Sequence, residues 1–209
     1  MKRTLFYLAV VVSLAALISL AGAQDRNELT GVIGRTVVSD QGVTGTSTPG
    51  ALLTSGSGLS FEVNYGRRFM DLGLLSLTGE VPLVVNVGEN VHYDVNLVPK
   101  DYKSFFVTPA LRANLFPDNG LSPWVSLGGG FGYFKENSTL EFGGPNPGKT
   151  GTTTGILQIG AGLDVKLFSR FSVRGEVRDF YSGIPQLNLD TGKSRQHNFF
   201  VGGGVVYHF

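Results

Sequence analysis

A strict alternation of apolar and polar residues constrains the fold of this chain more than any other feature. It is clearest over residues 156–168, where Gln158, Asp164 and Lys166 separate large apolar side chains. A period of two is the pattern of a β-strand that turns one face toward an apolar environment. The same parity recurs in segments that begin near Glu28, Leu59, Leu75, Phe105, Val125, Phe171 and Phe199.

The alternating segments predict eight strands of about ten residues, the length at which a tilted strand crosses a bilayer. The connections between them alternate in length, as in outer-membrane barrels with long loops on one side and short turns on the other. We therefore predict an all-β fold, an eight-stranded antiparallel up-and-down transmembrane β-barrel. The long connections cover 39–58, 87–103, 136–153 and 182–196, and the short ones cover 70–74, 115–122 and 168–170.

Composition excludes several classes of protein and points to export. The absence of cysteine excludes disulfide scaffolds and thiolate metal sites, and a net charge of +1 gives no sign of a nucleic-acid surface. Residues 1–23 combine a basic start, an apolar run and the small-residue site Ala21-Gly22-Ala23. They predict a secretory signal peptide, which leaves 24–209 as the barrel domain. The alternative is an N-terminal membrane anchor, because the apolar run is nearly long enough to span a bilayer.

A soluble sandwich or lipocalin-like barrel is the alternative fold, because an inward apolar face would produce the same alternation. Against it, the polar face is rich in glycine and poor in lysine. Outward aromatic residues also fall at two levels, as in the girdles of membrane barrels. Arg35, Arg67 and Asp179 break the outward parity near strand ends, where charged groups can reach lipid headgroups. The predicted girdle residues are Phe69, Phe105, Tyr133, Phe171, Tyr181 and Phe199.

The polar face carries charges of both signs, which a membrane barrel would turn inward. Because the interior of an eight-stranded barrel is just filled by side chains, we expect these charges to pair and to plug the lumen. The alternative is a gate, in which rearranged pairs open a narrow polar path for small solutes. The predicted lumen charge network consists of Glu62, Arg68, Glu80, Arg112, Asp164, Lys166, Arg174, Glu176 and Arg178.

The last strand, with Val205, Tyr207 and Phe209 in alternation, resembles the C-terminal assembly signal of bacterial outer-membrane proteins. Residues 123–133 and 160–180 resemble the late strands of the OmpA-like membrane domain. The resemblance implies a Gram-negative outer-membrane barrel that contacts lipid and lipopolysaccharide. It also implies assembly by periplasmic chaperones and the barrel-assembly machinery. The sequence leaves no room for the family's peptidoglycan-binding domain, so we expect no tether to the cell wall.

We expect a non-enzymatic protein with a structural or surface-interacting role, without a cofactor, a metal site or a nucleic-acid partner. The long loops are the expected place for extracellular ligands, because loops on a rigid scaffold commonly carry function. One alternative is a narrow channel for small solutes. The other is a lipid-modifying enzyme at the barrel rim, which would use His197 with Ser194 and Asp190, or His92 with Asp94.

Overall fold

The computed structural model describes residues 26–44 and 51–209. The predicted signal peptide at 1–23 lies outside the described residues. Within them, every regular element is a β-strand and the strands pair in antiparallel fashion. No helix in this part of the chain is long and apolar enough to span a membrane.

Several strands are longer than the ten residues that the sequence predicts. β5 has 18 residues and β9 has 17, because polar and glycine residues continue the pairing beyond the apolar part of each strand. The connection after β5 therefore shrinks to 93–100. The strands are β1 (Asn27–Val38), β2 (Gln41–Gly42), β3 (Leu52–Ser55), β4 (Ser57–Asp71), β5 (Leu75–His92), β6 (Asp101–Val107), β7 (Ala110–Leu115), β8 (Leu121–Glu136), β9 (Thr152–Phe168), β10 (Phe171–Gly183) and β11 (Arg195–His208).

The long strands form a closed ring in which β6 and β7 act as one strand. β1 pairs with β4 on one side and with β11 on the other, and the ring continues through β5, β6 with β7, β8, β9 and β10. At the seam, the Asn27 backbone N–H donates to the Phe209 carbonyl at 3.0 Å. Closure leaves no unpaired sheet edge in an apolar medium. The predicted eight-stranded antiparallel barrel is confirmed.

The fourth strand of the ring is interrupted at one proline. β6 ends at Val107 and β7 begins at Ala110, with Thr108 and Pro109 between them. Because proline has no backbone N–H to give to a sheet ladder, it breaks the pairing locally. The Pro109 carbonyl still accepts from Gly129 N–H at 3.1 Å, so the strand keeps its course and its inward and outward parity.

The barrel has two unlike ends, which we call the turn end and the loop end. Three short connections, 72–74, 116–120 and 169–170, lie at the turn end. Four longer connections, 39–56, 93–100, 137–151 and 184–194, lie at the loop end, and the first of them contains β2 and β3. Long and short connections therefore alternate as predicted.

The outer wall of the barrel is apolar, which argues against the soluble alternative. Ile33 and Val125 are 62% and 61% exposed, whereas Arg174 inside the barrel is 0% exposed. A continuous exposed apolar wall is unfavourable in water but is matched to the acyl chains of a bilayer. The polarity of this barrel is thus the reverse of that of a soluble protein.

Aromatic side chains lie on this outer wall near both ends. At the turn end, Tyr207 packs between Phe171 and Phe209, with ring centroids 5.2 and 5.7 Å away. Near the loop end, Phe105 and Tyr133 oppose each other on neighbouring strands. All the predicted girdle residues and the C-terminal residues lie on the outward parity, namely Phe69, Phe105, Tyr133, Phe171, Tyr181, Phe199, Val205, Tyr207 and Phe209.

Candidate functional site

The turn-end half of the lumen contains buried arginines that are each shared by several carboxylates. Arg112 Nη2 lies 2.7 Å from Glu28 Oε1, and its Nη1 lies 3.2 Å from Glu80 Oε2. Arg174 donates two hydrogen bonds of 2.7 Å to Asp164 and contacts Glu28 at 3.1 Å. Such bidentate charge-assisted contacts fix both partners in one geometry.

Arg178 has the largest number of acidic partners. Its Nη1 lies 2.7 Å from Glu80 Oε1, and its Nε lies 3.2 Å from Glu62 Oε2 and 3.1 Å from Glu176 Oε1. The side chains of Arg178, Glu62 and Glu80 have no solvent exposure. Because a buried charge is tolerated only when it is paired, removal of this arginine would leave its acidic partners uncompensated.

The only tryptophan of the chain, Trp124, lies at the centre of these arginines. The three guanidinium carbons lie 5.1, 5.1 and 5.5 Å from its ring centroid, within the range of cation–π attraction. The indole N–H donates to Asp164 Oδ1 at 3.2 Å. A Cβ at Gly162 would lie 2.4 Å from the indole ring, so the glycine makes room for the tryptophan.

The structure places most of the predicted lumen charges in this network, but not all. Arg68 and Lys166 lie outside it, on the last rungs at the turn end. Arg68 contacts Asp71 and Asp118 at 3.3 Å, and Lys166 is exposed. Both have the inward parity, but the barrel no longer encloses them at this level.

The sequence analysis missed two members of the network, Glu28 and Trp124. Both share the inward parity of their strands, so the signal was present. Glu28 belongs to the weakest of the alternating segments, and its place in the network depends on contacts with Arg112 and Arg174 from other strands. Trp124 stands in the segment 123–133 and is identified there by family resemblance alone. Neither role can be assigned without the register between strands.

A small polar cavity opens at the turn end, directly below the network. It has a volume of about 100 Å³ and is bordered by Glu28, Arg112 and Asp164 at its inner side. His208 also lines it, and its Nε2 lies 3.0 Å from Ser172 Oγ. The cavity therefore ends at the buried ion pairs.

The loop-end half of the lumen is filled mainly by an apolar cluster. Two buried carboxyl groups lie beside it, with Glu89 accepting from Asn86 Nδ2 at 2.8 Å and Glu136 accepting from Thr152 Oγ1 at 3.0 Å. Phe106 is its centre, with ring centroids 5.7 Å from Phe134 and 5.1 Å from Phe180. A Cβ at Gly132 would lie 2.8 Å from the Phe106 ring, so a glycine again makes room for a large ring. Sequence analysis did not predict this cluster. Its buried members are Val32, Ala51, Leu53, Val84, Val91, Tyr93, Val98, Tyr102, Phe106, Phe134, Ile156, Phe180, Leu187 and Phe200.

The loops form a cap that continues this apolar cluster. Asn188 Nδ2 donates to the Leu97 carbonyl at 2.9 Å and to Asn146 Oδ1 at 2.8 Å, which joins three loops. Thr44 N–H donates to the Asp190 carbonyl at 2.8 Å, which adds the first loop. Five side chains extend from this end into the cluster, namely Leu53, Val91, Tyr93, Val98 and Leu187.

His92 lies at the loop end of β5, beyond the aromatic level of the wall. Its Nδ1 lies 2.5 Å from Glu141 Oε1, and the other oxygen of Glu141 accepts from Tyr93 N–H at 3.2 Å. The hydrogen bond and charge of Glu141 raise the pKa of His92 above 6.5. Asp94, the partner predicted for an enzyme, contributes only the smallest effect on this pKa.

His197 lies on the outer wall near the loop end. Its Nδ1 lies 2.6 Å from Asp179 Oδ2, and its ring packs 4.8 Å from Tyr181. The structure does not bring it into hydrogen-bond contact with Ser194 or Asp190, the partners predicted for an enzyme. Across residues 26–44 and 51–209, no serine hydroxyl bonds to His92 or His197, which is what an activated nucleophile would require.

The cap presents apolar side chains to solvent at its tip. Val95 and Leu97 of the 93–100 loop are 53% and 45% exposed, and Phe142 of the 137–151 loop is 58% exposed. The two loops are joined by Asn96, whose side chain donates to the Gly143 carbonyl and accepts from Phe142 N–H. We call Val95, Leu97 and Phe142 the tip patch.

Comparison with known proteins finds similarity at the level of the fold. No family model matches the chain, and no curated protein matches it in sequence. The crystal structure of Neisserial surface protein A (NspA) matches 90% of this chain and 100% of its own, at 14% identity and a TM-score of 0.53. The outer membrane protein OprG from Pseudomonas aeruginosa matches 88% of this chain and 96% of its own, at 13% identity and a TM-score of 0.55.

The alternation of short turns and longer loops assigns the two ends of the barrel. In outer-membrane barrels the short turns are periplasmic and the longer loops are extracellular. The charged half of the lumen therefore faces the periplasm, and the aromatic cluster with its cap faces the exterior. By fold, the chain is a small outer-membrane β-barrel protein.

Proposed function

We propose that this protein is a non-enzymatic outer-membrane barrel with a closed lumen, which acts through its extracellular cap in a structural or surface-interacting role. The observation that carries the proposal is the double closure of the lumen. Ion pairs around Arg178 fill the periplasmic half, and packed rings around Phe106 fill the extracellular half. An ion would have to displace both the ion pairs and the packed rings to cross the barrel.

The double closure favours this proposal over the narrow channel. A gate of rearranged ion pairs would open only the periplasmic half, because the extracellular half contains aromatic rings that no exchange of charge partners would move. The rim-enzyme alternative has less support still. In the described residues no serine hydroxyl bonds to His92 or His197, whose carboxylate partners are Glu141 and Asp179 rather than the predicted ones.

The cap supports a role at the cell surface. Hydrogen bonds between loops hold the tip patch in place, so a partner would meet preformed apolar side chains and little ordering entropy would be lost on binding. The tip patch exposes three large apolar residues together, whereas isolated apolar residues on a surface need no functional explanation.

We also propose that the last strand directs assembly. Tyr207 and Phe209 lie on the outward face of β11, which closes the ring against β1. Periplasmic chaperones and the barrel-assembly machinery would therefore act on the strand whose pairing completes the barrel.

Complementation of a deletion strain tests the proposal. A strain that lacks the protein is expected to show weakened resistance to detergents or altered attachment to surfaces, and the wild-type gene should restore both. The triple variant Val95→Ser/Leu97→Ser/Phe142→Ser should restore resistance but not attachment if the cap mediates contact.

The control is Thr153→Ser, an outward position on β9 away from the tip patch, which should behave as wild type. A triple variant that restores attachment fully would contradict the role of the tip patch. A deletion strain that matches wild type in both assays would contradict the proposed function as a whole.

A further inference from the structure

Two lysines oppose each other on the outer wall of the barrel. Lys103 of β6 pairs directly with Lys135 of β8 in the sheet register, and both side chains are exposed. Directly opposed residues on one face of an antiparallel pair have Cβ atoms about 4.5–5.5 Å apart, and like charges in this position destabilise the sheet. A negative charge beside the two lysines would offset their mutual repulsion.

No protein group supplies that charge in the described part of the chain, where neither lysine forms an ion pair. Asp101 lies two residues further out on β6, and its carboxylate accepts from Asn137 Nδ2 at 3.2 Å. The lysines are thus open to an anion from outside the barrel.

The position of the pair on the wall identifies the kind of anion. The next rung toward the membrane centre is formed by Phe105 and Tyr133, members of the aromatic level that marks the membrane interface. The Tyr133 hydroxyl lies on the β9 side of β8, away from Lys103, since a Cβ at Gly151 just before β9 would lie 2.6 Å from it. The two ammonium groups therefore lie just outside the aromatic level, at the height of the phosphates of outer-leaflet lipids.

We propose that Lys103 and Lys135 form a clamp for the phosphate group of an outer-leaflet lipid. Two ammonium groups can donate to different oxygens of one phosphate, and charge-assisted bonds of this kind are strong. The apolar wall below receives the acyl chains of the same lipid. The inference rests on the proposed membrane placement of the barrel, but not on a closed lumen or on the cap.

A lipid titration tests the clamp. The full-length barrel is purified in a maltoside detergent, and short-chain phosphatidic acid is added while amide NMR shifts of residues 103 and 135 are followed. Each lysine near an anionic lipid surface contributes a factor of about five in affinity. The variant Lys103→Gln/Lys135→Gln should therefore bind about 30-fold more weakly than wild type.

A matched control separates the clamp from general attraction to positive charge. Lys149→Gln/Lys193→Gln removes two exposed lysines from the loops and changes the net charge equally, so it should bind as wild type. An equal loss of affinity in this control would overturn the proposal. Equal binding of inorganic phosphate and phosphatidic acid would overturn its lipid part, because it would indicate a site for free anions.

Stability gives an independent readout. Without anionic lipid, Lys103→Gln/Lys135→Gln should unfold at the same or a slightly higher urea concentration than wild type, because the opposed charges are removed. Phosphatidic acid should then stabilise only the wild type and the loop control. Failure of this pattern would contradict the clamp while leaving the proposed function, which depends on cell-surface assays, unaffected.

Discussion

The two halves of the lumen close the same barrel by opposite means. In the periplasmic half, Arg112, Arg174 and Arg178 connect carboxylates from several strands around Trp124. In the extracellular half, rings such as Phe106 and Phe134 pack against one another, beside the buried carboxyl groups of Glu89 and Glu136. Ion pairs are directional and fail when one partner is lost, whereas packed rings lose stability in proportion to the cavity created. Variants can separate these two kinds of closure.

The largest expected effect comes from the charged half. Arg178→Ala should lower the free energy of unfolding by roughly 3–5 kcal/mol, because three buried carboxylates lose a partner. Adding Glu62→Gln should recover part of the loss, since one unpaired charge is removed. Urea unfolding of the barrel in lipid vesicles measures both. Arg35→Ala on the outer wall, where Arg35 donates to Ser57 Oγ at 2.9 Å, is the control and should change little.

Phe106→Ala should cost about 3 kcal/mol through the cavity that it leaves in the extracellular half. Removal of a charge in the periplasmic half should not restore the stability of Phe106→Ala. The substitution Glu62→Gln should instead lower the free energy of unfolding further. Urea unfolding of the barrel in lipid vesicles measures the free energy of unfolding of both variants. Rescue of Phe106→Ala by Glu62→Gln would show that the two halves are not independent.

Gly162→Ala should cost about 2 kcal/mol, because a methyl group at this position overlaps the indole of Trp124. Since Trp124 is the only tryptophan, its fluorescence should shift to longer wavelength as the ring is displaced. Gly175→Ala is the matched control, because a Cβ there meets nothing within 4 Å. An unchanged emission spectrum in Gly162→Ala would contradict the tight fit.

The smallest expected effect lies in the cap. Because Glu141 raises the pKa of His92, protonated His92 stabilises the contact between the end of β5 and the 137–151 loop. This contribution is complete below pH 6.5 and is lost as the pH rises through the raised pKa of the folded state. NMR titration should show His92 returning toward its ordinary pKa in Glu141→Gln. An identical titration in wild type and variant would exclude the contact in solution.

The comparison also shows what the sequence could predict. Alternation predicts the membrane-facing part of the outer wall, because outward positions there meet the same apolar medium. Outward charges such as Arg35, Lys103 and Lys135 lie nearer the strand ends. The lumen was predicted only in part. Arg178 and Glu80 were identified by parity, but their contact across the barrel depends on the register of strands far apart in sequence.

The extracellular cluster could not be predicted, for a physical reason. Phe106, Phe134 and Phe180 stand on the parity that carries polar residues elsewhere in the same strands. Only the closed ring shows that these three positions meet at one level, where no solvent remains. Glu28 was missed in the same way, because its strand has the weakest pattern and its partners come from β7 and β10.

Single-channel recording in planar bilayers tests the central claim most directly. With insertion verified, the wild type should carry no discrete current, and neither should Arg178→Ala or Phe106→Ala, because each leaves the other closure in place. The combined variant Arg178→Ala/Phe106→Ala is the one expected to conduct if it folds. Discrete openings of the wild-type protein would contradict the doubly closed lumen.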